Sequence, residues 1–325
     1  MEIMLFLSSL VIAFIISFLS TGILIKWQQD KKMLVRDMHK PGNWLVPGIG
    51  GPAILVGFIF GTIFLISLFI LNSKPFDYHY IFAALLCITV LSYMGIVDDL
   101  FQLPSYWKFF LPAIASIALV GVMIISKQTM MLIPFIGTYD FGMLYPLLLI
   151  PVGIIVASNF TNMLAGFNGI ESGMGIIAFI SLCIISFLLN KEGVAAISFP
   201  MLGSLLAFFL FNKYPSKIFP GDSGTYLIGG AIASAVIIGN IEGFGAIIMI
   251  PYAVDAVIKA INKFPKSFAD YANGKLYAPK KKIRGLVDLF LMLIGGAKEK
   301  NITIFFMLVE ALFSILAIII YTHII

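Results

Sequence analysis

Apolar residues in this chain fall into long blocks, each about one bilayer deep and separated by short polar connections. A helix needs about 20 mostly apolar residues to cross the hydrocarbon layer. Ten blocks are candidates: 3–25, 50–71, 79–97, 108–126, 143–158, 173–190, 194–212, 223–239, 243–261 and 302–321. The fifth is short. The eighth is rich in Gly and Ala, a composition that lets helix backbones approach closely. No connection is long or apolar enough to form a soluble domain. The pattern predicts an all-α polytopic membrane protein with ten transmembrane helices, residues 1–325 forming a single integral membrane domain.

Composition agrees. Of the 325 residues 60% are hydrophobic and 11% charged, and the mean hydropathy is +1.04. Soluble domains carry about 25% charged residues. Cys87 and Cys183 lie in separate apolar blocks and read as small core residues, neither a disulfide nor a zinc site. The three histidines have no metal-ligand spacing. A net charge of +5 fits basic loops or an anionic substrate better than nucleic acid. The first block lacks the basic flank of a signal peptide and reads as a span.

Charge gives the blocks a direction. With ten spans, the odd-numbered connections share one side, and they hold 18 of the 21 Lys and Arg residues; Lys74, Lys127 and Lys191 lie opposite. The positive-inside rule makes the basic side cytoplasmic and puts both termini outside. Asp37, Asp98, Asp99 and Asp222 fall on the same side. A transporter would keep ionisable groups near the midplane, where this chain offers only Asp255 and Glu310 within spans. Asp255 is one turn from Lys259, the spacing of a local ion pair.

Four segments on the basic side could carry chemistry. Asp98-Asp99 closes the third span, where acids oppose the helix dipole. A polar stop explains them, but Lys or Arg usually serves there, so two acids point to a cation or a proton. Lys108, opening the fourth span, is either a snorkelling lysine or a phosphate ligand. In Asn159-Phe160-Thr161-Asn162-Met163-Leu164-Ala165-Gly166-Phe167-Asn168-Gly169-Ile170-Glu171, the first and fourth residues share a helix face and could offer amide oxygens to a metal. The glycines allow close approach to a flat ligand, and turn chemistry at Asn168-Gly169 explains the segment equally well. Asp222, after Pro220-Gly221, suits a helix N-cap or a carboxylate-bound Mg²⁺. The long ninth connection contains Lys280, Lys281, Lys282 and Arg284, either an anchor for anionic lipid headgroups or a pyrophosphate clamp. The first connection, with Arg36, Asp37, His39 and Lys40 before Pro47-Gly48-Ile49-Gly50-Gly51, is a second basic, glycine-rich loop. Acids, amides and cations on one face suit metal-assisted chemistry on a phosphorylated substrate.

In this order and over nearly the whole chain, these motifs resemble the polyprenyl-phosphate N-acetylhexosamine-1-phosphate transferases. The resemblance is nearest to their archaeal and eukaryotic branch, the dolichyl-phosphate N-acetylglucosamine-phosphotransferases. It rests on Asp98-Asp99 with Lys108, on the Ala-Gly-x-Asn-Gly-x-Glu ending at Glu171, and on Phe219 before Gly221-Asp222. It implies ten transmembrane helices, a cytoplasmic catalytic cleft and a homodimer. Carried over by position, it implies Asn162 and Asp222 as ligands of Mg²⁺, with Mn²⁺ as a substitute. Gly166, Asn168 and Phe219 would form the uracil pocket, with Phe219 stacking. Lys108 would contact the phosphates, and Asp98 and Asp99 would line the lipid-phosphate side. Lys40 joins the substrate-binding set. Pro279-Lys280-Lys281-Lys282 departs from the family's sugar-reading motif, and lysines lack the bidentate fork of arginine. Gly48 stands where that branch favours a glutamate. The expected reaction joins a UDP-sugar, UDP-GlcNAc by resemblance, to a polyprenyl or dolichyl phosphate with release of UMP, in an archaeal plasma membrane. The alternative is a transporter or flippase of an anionic lipid or nucleotide sugar.

Overall fold

The apolar blocks form helices in the structure, a computed structural model that describes residues 3–74, 76–265, 269–279 and 283–324. The helices are α1 (Ile3–Asp30), α2 (Gly51–Leu71), α3 (Tyr78–Phe101), α4 (Ser105–Ala115), α5 (Ile117–Ile125), α6 (Ile150–Met163), α7 (Ile170–Leu188), α8 (Glu192–Asn212), α9 (Gly221–Gly239), α10 (Glu242–Ile248), α11 (Ile250–Ile261), α12 (Leu286–Ile294) and α13 (Glu299–Ile324). Three short antiparallel hairpins sit in connections: β1 (Leu34–Arg36) with β2 (Leu45–Pro47), β3 (Met130–Ile133) with β4 (Gly137–Asp140), and β5 (Asp270–Ala272) with β6 (Lys275–Tyr277).

Among the described residues, nine helical stretches are long and apolar enough to cross a membrane, α4 with α5 counting as one. The remaining expected span, 243–261, is not a single helix: it falls on the pair α10–α11, whose 62° bend makes it a broken span or a re-entrant loop. Pro251, in the first turn of α11, has no N–H for the carbonyl four residues back, and its ring crowds that carbonyl. Pro112 has the same effect in the fourth span, and there the structure supplies a replacement. The Lys108 carbonyl that Pro112 cannot serve accepts a hydrogen bond from Asn159 Nδ2 at 3.0 Å.

The core lies around α7, α8 and α9, buried over 78%, 78% and 83% of their apolar windows, whereas α1, at 22%, lies on the periphery. The Gly- and Ala-rich α9 packs as its composition suggested. A Cβ on Gly229 would stand 2.3 Å from the Ala157 carbonyl oxygen of α6. These contacts set the start of α9 beside the ends of α2, α3 and α6, where the acids collect.

Candidate active site

The site is built on the first turn of α9. Helix N-termini leave backbone N–H groups without intrahelical partners, and here they are satisfied from another helix. Asp99, in the last turn of α3, accepts the N–H of Asp222 at 2.7 Å and that of Ser223 at 3.1 Å. Gly221 precedes them at φ +69°, and a Cβ there would fall 2.6 Å from Asp99 Oδ2. Asp222 does not cap its own helix, and the two oxygens of Asp99 hold the backbone that carries Asp222.

Asp98 is buried, with Oδ1 accepting the Leu103 N–H at 2.8 Å and Oδ2 paired to Lys108 Nζ at 2.6 Å. Lys108 Nζ also lies 3.4 Å from Asp222 Oδ2. The cation expected at the head of the fourth span therefore bridges two acids from different helices. Two carboxylates thus share one ammonium, and the Asp99 carboxylate lies beside them on the backbone of Asp222 and Ser223.

Beside this group lies a cavity of about 240 Å³ whose lining includes Asn162, Gly166, Phe219 and Asp222. These four candidates come from two separate segments, and the fold brings them onto one cavity. Gly166 adopts φ +111°, and its N–H reaches Glu171 Oε1 at 2.7 Å. Arg36, from β1, and Glu171 also line it. Arg36 escaped the sequence analysis as a site residue because three-residue strands give no periodic signal. Asn162 and Asp222 offer oxygen donors to the same space, the donor type that Mg²⁺ prefers, so the residues present fit a divalent cation there.

Lys40 and Asn168 do not join the cavity lining; their polar atoms are engaged in the interior. Asn168 is fully buried, its Nδ2 donating to Asp37 at 3.1 Å and its Oδ1 accepting from Ser216 N–H at 2.7 Å and Lys40 Nζ at 3.2 Å. Its N–H donates to Glu299 Oε1 at 2.9 Å, and its carbonyl accepts from Thr303. Lys40 also pairs with Glu299 and Asp37 and lies 4.2 Å above the Tyr214 ring centroid. Ligand atoms of Asp37, His39 and Glu299 come within 4.8 Å of one another, but the Lys40 ammonium already supplies the cation. His39 stacks on Phe167 at 4.3 Å, and its Nε2 accepts the Ala269 N–H. Burial, opposed by Asp37 and assisted by Lys40, pushes the His39 pKa down to about 4, so its ring is neutral at pH 7.

In the ninth connection, Lys280, Lys281 and Lys282 lie outside the described residues. Arg284 Nε pairs with Asp288 at 2.9 Å, so this guanidinium braces the start of α12. Asp255 pairs with Lys259 at 2.9 Å, as its spacing predicted, and also accepts the Leu286 N–H.

Further along the helices that carry the polar site runs an apolar groove of about 310 Å³. It is lined by Val156 and Ala157 of α6, Ile232 and Val236 of α9, and Met249 at the α10–α11 bend. The same two helices thus present metal-type donors at one end and a hydrocarbon surface beyond.

The pattern of glycosyl transferase family 4 matches residues 81–240. Over 99% of this chain and 98% of its own length, a protein of Saccharolobus solfataricus named as a UDP-N-acetylglucosamine–dolichyl-phosphate N-acetylglucosaminephosphotransferase is 34% identical. A protein of Sulfolobus acidocaldarius with the same name is 31% identical over 97% of the chain and 96% of its own length. The phospho-N-acetylmuramoyl-pentapeptide-transferase of Halalkalibacterium halodurans is 27% identical over 84% and 82%.

Proposed function

This chain belongs to glycosyl transferase family 4, and we propose that it transfers N-acetylglucosamine-1-phosphate from UDP-N-acetylglucosamine to dolichyl phosphate with release of UMP. The reaction would open lipid-linked glycan assembly on the cytoplasmic face of an archaeal plasma membrane, with both termini outside. The observation that carries the reading is the meeting of Asp98, Asp222 and Lys108 beside the cavity of Asn162, Gly166 and Phe219. A transporter is not favoured, since the relatives in hand are transferases by name.

The lipid phosphate attacks the sugar-linked phosphorus. A new phosphorus–oxygen bond forms, and the bond to the bridging oxygen breaks, the oxygen leaving with UMP. Phosphate monoesters have a second pKa of about 6, so the nucleophile is largely a dianion at neutral pH. Asp98 therefore need not remove a proton, and its ion pair with Lys108 suits it to holding that ammonium beside the phosphates. Asp99 fixes the backbone that aims Asp222. Phe219 offers a ring for uracil, and Arg36 a cation for the diphosphate. Mg²⁺, or Mn²⁺ in its place, would be held by Asp222 and Asn162 and would supply neutralisation of charge on the departing UMP. The apolar groove along α6 and α9 would take the polyprenyl chain.

Purified protein given UDP-GlcNAc, dolichyl phosphate and Mg²⁺ should release UMP and form the diphospho-lipid. Asp222→Ala should lower UMP release by at least about a hundredfold. Wild-type release from that variant would sink the metal assignment, and no release from the wild type would sink the reaction.

A further inference from the structure

We propose that the groove between α12, the β5–β6 hairpin and α13 binds an anionic phospholipid, its phosphate held between Lys275 and Lys298 and an acyl chain lying along Ile304 and Leu308. The groove encloses about 570 Å³ and sits at the basic end of the helical bundle, apart from the cavity of the reaction. The inference rests on the membrane placement of the chain and stands independently of the sugar transferred.

Three observations converge on this occupant. First, α12 is a short helix with an apolar outer surface, its one charged residue, Asp288, being turned inward. It buries Val287, Asp288 and Leu291 and exposes Met292, Leu293 and Ile294, with Leu293 78% exposed. Such a helix lies in the interface, its apolar side in the acyl boundary. Second, the floor is hydrocarbon. Phe290 of α12 stacks on Phe305 of α13 at 4.0 Å, and Ile304 and Leu308 continue the apolar surface down the span. A floor of this kind has nothing to offer a free phosphate ion. Third, the rim is cationic. Lys275 and Lys298 both border the groove, and neither has an ion-pair partner among the described residues. Each basic residue at a membrane surface gains from anionic headgroups, and here two of them stand over a slot for the chain attached to such a headgroup.

The site has a mechanical consequence. Leu276 of β6 and Ala297 exchange backbone hydrogen bonds at 2.7 and 3.0 Å. A lipid held between Lys275 and Lys298 would brace that bridge, and the bridge anchors the hairpin from which the 279–284 segment departs.

Native mass spectrometry of the full-length protein, incubated with mixed micelles of phosphatidylglycerol and phosphatidylcholine, tests the proposal. The wild type should retain phosphatidylglycerol in preference. Lys275→Gln with Lys298→Gln should weaken that retention by at least about tenfold, while Lys213→Gln with Lys217→Gln on another connection should not. Ile304→Asn, which leaves the rim intact, should also weaken it. Equal retention of the two lipids by the wild type would overturn the proposal. So would displacement of the lipid by inorganic phosphate, which would mark an ion site only, or a dimer in which a second copy covers this groove.

Discussion

Asn168 shows what a single residue reveals only when folded. By resemblance the motif around it would serve a nucleotide pocket, and a cavity lies beside its neighbours Gly166 and Glu171. Asn168 itself serves as the joint behind that cavity, linking the first connection through Asp37 and Lys40, the loop at Ser216, and the head of α13 through Glu299 and Thr303. No local pattern could announce Glu299, an acid about 130 residues away whose partners depend on tertiary closure. Its buried carboxylate holds both Lys40 and the Asn168 N–H. Glu299→Gln keeps an acceptor and removes the charge, so the loop carrying Gly166 should loosen without the protein unfolding. The expected result is a KM for UDP-GlcNAc raised about tenfold, roughly 1.4 kcal/mol, with the KM for dolichyl phosphate and the melting temperature little changed. Glu299→Ala should instead cost about 1–3 kcal/mol of stability by leaving the buried Asn168 N–H without an acceptor. Equal rises in both KM values for the Gln variant would show that Glu299 does not act on the nucleotide side.

At the scale of elements, span lengths could be read directly, because a hydrocarbon layer imposes both length and polarity on a helix. Helix breaks were harder. Pro251 and Pro112 sit inside apolar blocks, and membrane helices tolerate proline when neighbours satisfy the freed carbonyl, as Asn159 does for Lys108. The Nδ2 of Asn159, a residue whose amide oxygen the sequence offered to a metal, thus ties α4 to α6. The fit of α9 into its neighbours was foreshadowed by its small residues, but the glycines that matter most lie on those neighbours. A Cβ on Gly95 would stand 2.3 Å from Ser223 Cα, and one on Gly51 2.4 Å from the Gly224 nitrogen. Both contacts are with backbone, which cannot rotate aside. Gly95→Ala should push α3 from the start of α9 and pull Asp99 off the N–H groups that position Asp222. UMP release should fall at least about tenfold, with lower thermal stability, since overpacking costs about 1–3 kcal/mol. Gly121→Ala in α5, where a Cβ meets nothing within 4 Å, is the matched control and should behave as wild type. Full activity in Gly95→Ala would show that the α3–α9 contact does not set the site.

On the scale of the whole molecule, the proposed reaction makes a demand on orientation. A UDP-sugar must reach Arg36, Phe219 and Asp222 from the compartment where it is made, while the lipid arrives sideways from the bilayer. The division of 18 basic residues against three meets that demand if the basic face is cytoplasmic. Lys127 and Lys213 are exposed at opposite ends of the helical bundle, and the native Cys87 and Cys183 are buried and should stay silent to a thiol reagent. Lys127→Cys should therefore react with a membrane-impermeant maleimide on intact cells, and Lys213→Cys only after the membrane is opened. Labelling of Lys213→Cys alone on intact cells would turn the cavity outward and remove its access to cytoplasmic nucleotide sugars. Labelling of both would break the span count, because one miscounted span between them places two connections of unlike charge on one side. The bent pair α10–α11 lies beyond Lys213 and needs its own test, since a 62° bend is compatible with a helix that enters and leaves on one face. A second pair, Lys191→Cys and Lys300→Cys, brackets that bend. Lys191→Cys should label outside and Lys300→Cys inside if α10–α11 crosses once, whereas labelling of both from one side would make the pair re-entrant.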